Sequence, residues 1–332
     1  MRHFRRAALV IFFGVLGGLA YLGVDMNTPY AAFSQEAFVD FPKGTTTRQM
    51  ANLLQNSGVI RHSWEFLLAR ALRPGSALQA GEYRFSRPAT AMEVFDRITR
   101  GDIFYYELLV PEGANMFDIA AAVERLGIFS ASDFLEAARD PASIQDLDPQ
   151  APTLEGYLFP DTYRLSRHTT PGRLCRLMTG AFRSVWRGLH SGVPVHHVVT
   201  LASLVEKESK RADERSAIAS VFSNRLAIGM KLDCDPTTIY AALLAGAYRG
   251  VIHKSDLASS SPYNTYQHAG LPPGPIANPG TASLHAALHP ADTDYLYFVA
   301  RADGSGGHYF SSSLAAQEAN IARYRRAARR RR

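Results

Sequence analysis

A stretch of twenty residues recurs 69 positions further along the chain, and this limits the possible folds more than any other feature of the sequence. FPKGTTTRQMANLLQNSGVI (Phe41 to Ile60) aligns with VPEGANMFDIAAAVERLGIF (Val110 to Phe129). Pro42/Pro111, Gly44/Gly113, Ala51/Ala120 and Gly58/Gly127 coincide, and Met50/Ile119 and Leu54/Val123 match in character. Each copy reads as a strand end, a Pro-x-Gly turn, one amphipathic helix and a glycine just beyond it. A second helical segment opens at Ser63 in the first copy and near Ser132 in the other. Turn grammar shared by unrelated segments would give the same few identities, so the sequence alone leaves both origins open. The first copy is completed by a strand at Tyr83 and Phe85, a capping box at Thr90 and Glu93, a helix stop at Gly101 and a strand over Phe104 to Val110. The result is a small α+β module over residues 36–110. The Pro-rich, acidic stretch Asp140 to Thr153 reads as a boundary.

Charge separates the ends from the body. The net charge of the 332 residues is +6. Seven arginines crowd the last ten positions (Arg323, Arg325, Arg326 and Arg329 to Arg332), and Arg2, Arg5 and Arg6 lie at the other end. The remainder holds 26 basic and 30 acidic residues, which argues against a nucleic-acid-binding surface on the folded part. The Arg run reads as a solvated tail, with attraction to anionic surfaces as the functional alternative.

Ala7 to Val24 carries no formal charge. As a helix it would span roughly 27 Å, close to the hydrocarbon thickness of a bilayer. Three arginines precede it and no Lys or Arg follows until Lys43, so the positive-inside bias places the body outside the cytoplasm. Gly18-Leu19-Ala20 also fits a signal-peptide cleavage site; either reading exports the body. A hydrophobic fraction of 46% with 20% charged residues and two cysteines excludes wholesale disorder and a disulfide-dense scaffold. Whether Cys175 and Cys234 pair is left open.

The C-terminal half is helix-rich, with helical patterns over Leu174 to Leu189 and Val198 to Leu226, a Pro/Gly-rich loop over Tyr263 to Gly280, and a strand–turn–strand over Tyr295 to Ser312. P-loop, Rossmann, HExxH, CxxC and GxSxG signatures are absent. The pair His285/His289 lacks a third metal ligand in the sequence, so neither a metal nor a cofactor is expected. The strongest local signal is LASLVEKES (Leu201 to Ser209). At 100° per residue, Leu201, Leu204, Val205 and Ala212 fall within about 60° of Glu208, while Glu206 lies about 160° away and is expected to point to water. A carboxyl carried into an apolar interior has its charged form disfavoured, which suits a general acid. The competing reading is a salt bridge from Glu208 to Lys210, Arg211 or Arg215, or a helix that breaks at Ser209; periodicity does not separate the two. Tyr157, Phe159, Tyr163, Tyr263 and Tyr266, with Asn264, Thr265 and Gln267, offer the flat faces and neutral polar groups that suit a hydroxyl-rich polymer, although core packing would use the same aromatics.

These segments carry a resemblance to a known family. LEGYLFPDTY (Leu154 to Tyr163), ASLVEKES (Ala202 to Ser209), FSNRLAIGMKLDCDPTTIY (Phe222 to Tyr240), SPYNTYQHAGLPPGPIANPG (Ser261 to Gly280) and HPADTDYLYFVARADGSGGHYFS (His289 to Ser311) resemble, in content and order, the endolytic murein transglycosylase (YceG-like) family. The resemblance implies an α+β chain in five parts. These are an N-terminal stub and single transmembrane helix (1–25), a LysM-like α+β module (36–110), a helical link that partly repeats the module (111–153), a helix-rich α+β catalytic domain (154–322) and an Arg-rich tail (323–332). It implies an inner-membrane, single-pass protein with its catalytic domain in the periplasm. The expected partners are peptidoglycan glycan strands and the synthases that make them, with no nucleic acid. The implied reaction is cleavage of the β-1,4 bond from N-acetylmuramic acid to N-acetylglucosamine, leaving 1,6-anhydro-muramyl ends. Glu208 matches the family's catalytic glutamate, and Glu155, Tyr157, Tyr263, Asn264 and Tyr266 are the candidate substrate-binding residues. Cys234, between Asp233 and Asp235, departs from the residue expected in close relatives. The rival functions are a two-carboxylate muramidase using Glu155 or Asp161, and a non-catalytic wall-binding scaffold.

Overall fold

The computed structural model describes residues 2–189 and 192–329, without the side chains of residues 2–8, 10 and 19. The chain divides into two compact units, Met1–Tyr106 and Glu107–Arg332.

The first unit opens with α1 (Arg2–Asn27) and continues through β1 (Ala37–Phe41), α2 (Thr47–Asn56), α3 (Ser63–Leu72), β2 (Gly81–Phe85) and α4 (Ala91–Arg100). β1 and β2 pair antiparallel, from Ala37 opposite Phe85 to Phe41 opposite Gly81. Alternation along both strands sends Val39, Phe41, Tyr83 and Phe85 into one core with Leu54, Phe66, Phe95 and Ile98. The Thr46–Gln49 and Thr90–Glu93 capping boxes start α2 and α4, and left-handed Gly101 stops α4. Met26, near the end of α1, joins this core. The uncharged run Ala7 to Val24 lies within α1, and several of its side chains fall outside the described residues. Among the described residues no helix is long and apolar enough to cross a membrane.

The second unit begins with β3 (Tyr106–Leu109), α5 (Met116–Leu126), α6 (Ala131–Arg139) and β4 (Thr162–Leu165), the last pairing with β3. This repeats the β-α-α-β order of β1, α2, α3 and β2. The equivalences extend to the caps: Asn115 and Asp118 form the capping box of α5, and Gly113 and Gly127 have positive φ as Gly44 and Gly58 do. The strand expected from Phe104 is four residues long, and Phe104 N–H donates instead to Glu82 O at 2.6 Å.

Beyond β4 lie α7 (Pro171–Leu189), α8 (Val195–Glu208), α9 (Arg215–Ala227), α10 (Asp235–Leu244), α11 (Lys254–Leu257), α12 (Thr281–Leu288), the hairpin β5 (Tyr297–Ala300)–β6 (His308–Ser311), and α13 (Leu314–Arg329). The residues expected to form a separate link, 111–153, pack within this same unit. The helical stretch from Val198 to Leu226 is interrupted, because α8 ends at Glu208 and Ser209 turns extended (φ −93°, ψ 115°). α8 is enclosed on nearly all sides: Val198 to Val205 are buried without a break. Four of the terminal arginines, Arg323 to Arg329, continue α13 as helix rather than forming a loose tail, in keeping with the helix propensity of Ala and Arg. Arg323 lies over the Tyr309 ring at 4.4 Å. Arg330 to Arg332 lie outside the described residues.

Candidate active site

Glu208 ends α8 and faces a cavity of about 180 Å³, lined also by Phe222, Arg225, Leu232, Asp233, Cys234, Asp235, Tyr266 and Phe298. Among the described residues it forms no salt bridge. Two of the three cations that could have claimed it are engaged elsewhere: Arg211 with Asp213 at 2.6 Å and Arg215 with Glu206 at 3.3 Å. The break at Ser209 sends the chain away and leaves the carboxyl at the cavity wall. Its contact is the Cys234 thiol, which donates to Oε1 at 3.4 Å. Burial raises the Glu208 pKa above the usual carboxyl value. The Cys234 hydrogen bond pulls it down, the charge of Asp235 pushes it up and His308 pulls it down.

The opposite wall is the turn into α10. Asp233 has φ +47°, a left-handed conformation costly for a residue with a side chain. Arg225 of α9 stabilises that turn by donating to the Leu296, Lys231 and Leu232 carbonyls at 2.6, 3.2 and 2.8 Å. Asp235 opens α10, where the helix N-terminus favours its charge, and accepts from the Tyr266 hydroxyl at 2.6 Å. Glu214 and His308 (Nδ1, 2.7 Å) pair beside the same region. A larger hollow, about 300 Å³, lies at the Pro111–Gly113 turn, but no buried carboxyl faces it.

Glu206 does not point to water. Its side chain is 6% exposed, bound to Arg215 and accepting from Gly280 N–H at 3.0 Å at the N-cap of α12. The helical-wheel expectation assumed one buried face, whereas α8 is wrapped by its neighbours.

Of the five residues nominated to bind substrate, only Tyr266 lines the cavity with Glu208. Glu155 is 1% exposed, and its oxygens accept from Met116 N–H and the Asn278 amide, each at 2.8 Å. Burial pushes its pKa up to about 8 against the pull of the Met116 N–H and the Tyr240 hydroxyl. It caps the start of α5 and does not line the cavity. Tyr157 is fully buried, edge-on to Phe182 (5.0 Å), with its hydroxyl donating to Asp148, which also holds His196 at 2.7 Å. Asn264 is likewise buried: its amide donates to the Asp256, Leu257 and Ser259 carbonyls and so shapes the loop. Tyr263 is half-buried beside Tyr240, ring centroids 5.2 Å apart. Desolvation explains the bonding of Glu155, Tyr157 and Asn264: a buried polar side chain must spend its hydrogen bonds on the protein.

Sequence reasoning missed Asn278, Arg225 and Asp235. Asn278 accepts from Gly156 and Leu158 N–H at 2.8 and 2.9 Å and donates to Ala114 O and Glu155. It thereby ties the IANPG, LEGYLFP and PEGAN segments into one support under α8. Gly156 is required there, since a Cβ would sit 2.4 Å from Pro275. The available signal was the density of Gly and Pro around an Asn, which marks a backbone-bonding hub. The two cysteines are both free.

This architecture belongs to a recognised group. The sequence profile of the YceG-like family matches residues 39–323, and the chain is a member of that family. The endolytic murein transglycosylase of Bacillus subtilis (strain 168) is 33% identical over 312 residues, 87% of this chain and 86% of that protein. The endolytic murein transglycosylase of Streptococcus pneumoniae serotype 2 (strain D39 / NCTC 7466) is 27% identical over an alignment covering 96% of this chain and 64% of that longer protein. The crystal structure of a yceG-like protein from Listeria monocytogenes superposes with a TM-score of 0.57 at 32% identity, covering 86% of this chain and 99% of the other.

Proposed function

We propose that this protein is a lytic transglycosylase that cuts glycan strands of peptidoglycan internally, at the β-1,4 bond from N-acetylmuramic acid to N-acetylglucosamine. The observation that carries the reading is a carboxyl, Glu208, largely buried at the wall of a cavity, without a cationic partner among the described residues and with its proton affinity raised. The family relatives' activity points the same way. Protonated Glu208 gives its proton to the glycosidic oxygen as the C1–O bond breaks. The resulting carboxylate takes the proton of the muramyl 6-hydroxyl as that oxygen bonds to C1. No water is consumed, and one carboxyl serves as acid and then base, unlike the paired carboxylates of hydrolases. The cavity is smaller than the roughly 300–1,000 Å³ common for ligand clefts, so it suits a single sugar at the reacting centre with the strand continuing over open surface. Tyr266, which lines the same cavity, is our candidate to contact that sugar.

A muramidase is the second reading, favoured by Asp235 on the facing wall of the same cavity. Glu155 and Asp161 no longer serve as its second carboxylate: the first is sealed in its capping network, and the second is exposed and bound to Thr162 N–H at 2.7 Å. Glycan fragments with anhydro ends from the full-length protein support the transglycosylase; reducing ends carrying an added water support the muramidase. We further propose that α1 anchors the chain and that the second unit works outside the cytoplasmic membrane beside the strand synthases. Carbonate extraction of membranes, with protease protection of the body in intact spheroplasts as the contrary result, tests that placement.

A further inference from the structure

Four elements converge on Cys234, and its thiol meets Glu208. The Cys234 N–H donates to Thr265 Oγ1 at 3.0 Å, and its carbonyl accepts from Thr237 Oγ1 at 2.7 Å. Those two hydroxyls lie 2.9 Å from each other. The preceding residue, Asp233, is held in its strained conformation by the turn that Arg225 clamps, with Arg225 also 3.8 Å from the Asp233 carboxylate. The side chain so fixed is 2% exposed and touches Oε1 of Glu208. Strain retained beside a reacting group marks a position the surrounding structure enforces.

We propose that Cys234 is the positioning residue of Glu208: its thiol occupies Oε1 as a donor, so that the transferable proton resides on the other carboxyl oxygen. The inference rests on Glu208 being the general acid. A donor already aimed at one oxygen makes that oxygen the acceptor, and the acid's own proton must then lie on Oε2. The thiol can fill this role because burial and the neighbouring Glu208 charge hold its pKa well above the ordinary thiol value, so it remains an S–H. The groups facing Glu208 from each packed element are Cys234 and Asp235 at the start of α10, Arg225 and Asp233 at the turn, Tyr266 in the loop, and His308 with its partner Glu214. Residues 234 and 235 pull in opposite directions: the thiol favours the carboxylate and Asp235 favours the acid.

The test measures anhydro-end release against pH by the full chain, together with an infrared titration of the Glu208 carboxyl in the free protein. Cys234→Ala is expected to lower kcat by about tenfold with KM changed less than about twofold, and to move the basic limb of the profile to higher pH. Cys234→Ser, which keeps a donor, is expected to bring kcat back to within about threefold. Asp235→Asn is expected to move the limb the other way, to lower pH. The infrared titration should show the same displacements without turnover, and thermal midpoints identify any variant that fails to fold. Equal loss of rate in the Ala and Ser variants with an unmoved limb and carboxyl titration would overturn the proposal, as would an unchanged Cys234→Ala variant. An active Glu208→Gln variant would remove the general-acid reading and the proposal with it. An inactive Glu208→Gln variant beside unaffected Cys234 variants would remove the proposal alone.

Discussion

The two β-α-α-β segments share strand, turn and caps, yet their Pro-x-Gly turns have different surroundings. In the first copy, a Cβ on Gly44 would meet nothing within 4 Å. In the second, Gly113 donates to Asn278 O at 2.9 Å, its carbonyl accepts from Lys207 Nζ at 3.1 Å, and a Cβ there would lie 3.4 Å from Glu206. The first copy closes a core of its own. The second lends its turn and helix start to the support of α8, whose last residue is Glu208. A local sequence pattern can therefore be reused unchanged while its loop ends pass from solvated to buried and hydrogen-bonded.

The largest effect should come from the hub of that support. Asn278→Ala strips four buried partners, at about 1–3 kcal/mol for each group left unsatisfied. We expect the second unit to lose its cooperative unfolding transition in urea and the protein to lose its activity. A variant with wild-type unfolding would refute the idea of a shared support. Glu206→Gln should cost about 2 kcal/mol, by weakening a buried pair with Arg215 and the charge at the start of α12. Denaturant midpoints with unchanged m-values check it.

Paired glycine substitutions sharpen the comparison further. Gly44→Ala and Gly113→Ala both place a side chain at positive φ (91° and 76°), each costing about 1–2 kcal/mol. Only Gly113→Ala should also slow glycan cleavage, because only that turn abuts the helix carrying Glu208. Equal rates in the two variants would break the distinction.

The smallest effect belongs to the first unit alone. Burial, with Asp25 adjoining it, raises the Glu65 pKa from 4.5 to about 7. The folded state therefore holds the proton more tightly than the unfolded chain. Stability from this group is full below about pH 4.5 and falls as pH rises through 7. Glu65→Gln should flatten that dependence and gain on the order of 1–2 kcal/mol at pH 8, read from thermal midpoints across pH. A steeper slope in the variant would contradict it.

What the sequence made legible was local. Pro-x-Gly turns, the Thr90–Glu93 box and the Tyr295–Ser312 hairpin depend on neighbours within a few positions, and all appear in the structure. The turn-and-helix recurrence understated the second copy because β4 follows a long interval and pairs non-locally with β3. Periodicity brought Glu208 to attention but misjudged Glu206, since a helix covered on nearly all sides offers little solvent face to read. Aromatic and amide residues suited to a sugar were chosen by type, and type does not report burial: Tyr157 and Asn264 are both inside. The thiol that touches Glu208, that of Cys234, is 26 residues distant, joined only by the fold.

The most direct measurement is mass spectrometry of fragments released from un-crosslinked glycan strands by the full-length protein and by its Glu208→Gln variant. The wild type should release fragments ending in anhydro-muramyl sugar, one water lighter than hydrolysed ends, and the variant none. Hydrolysed ends from the wild type, or anhydro ends persisting in the variant, would contradict the proposed mechanism.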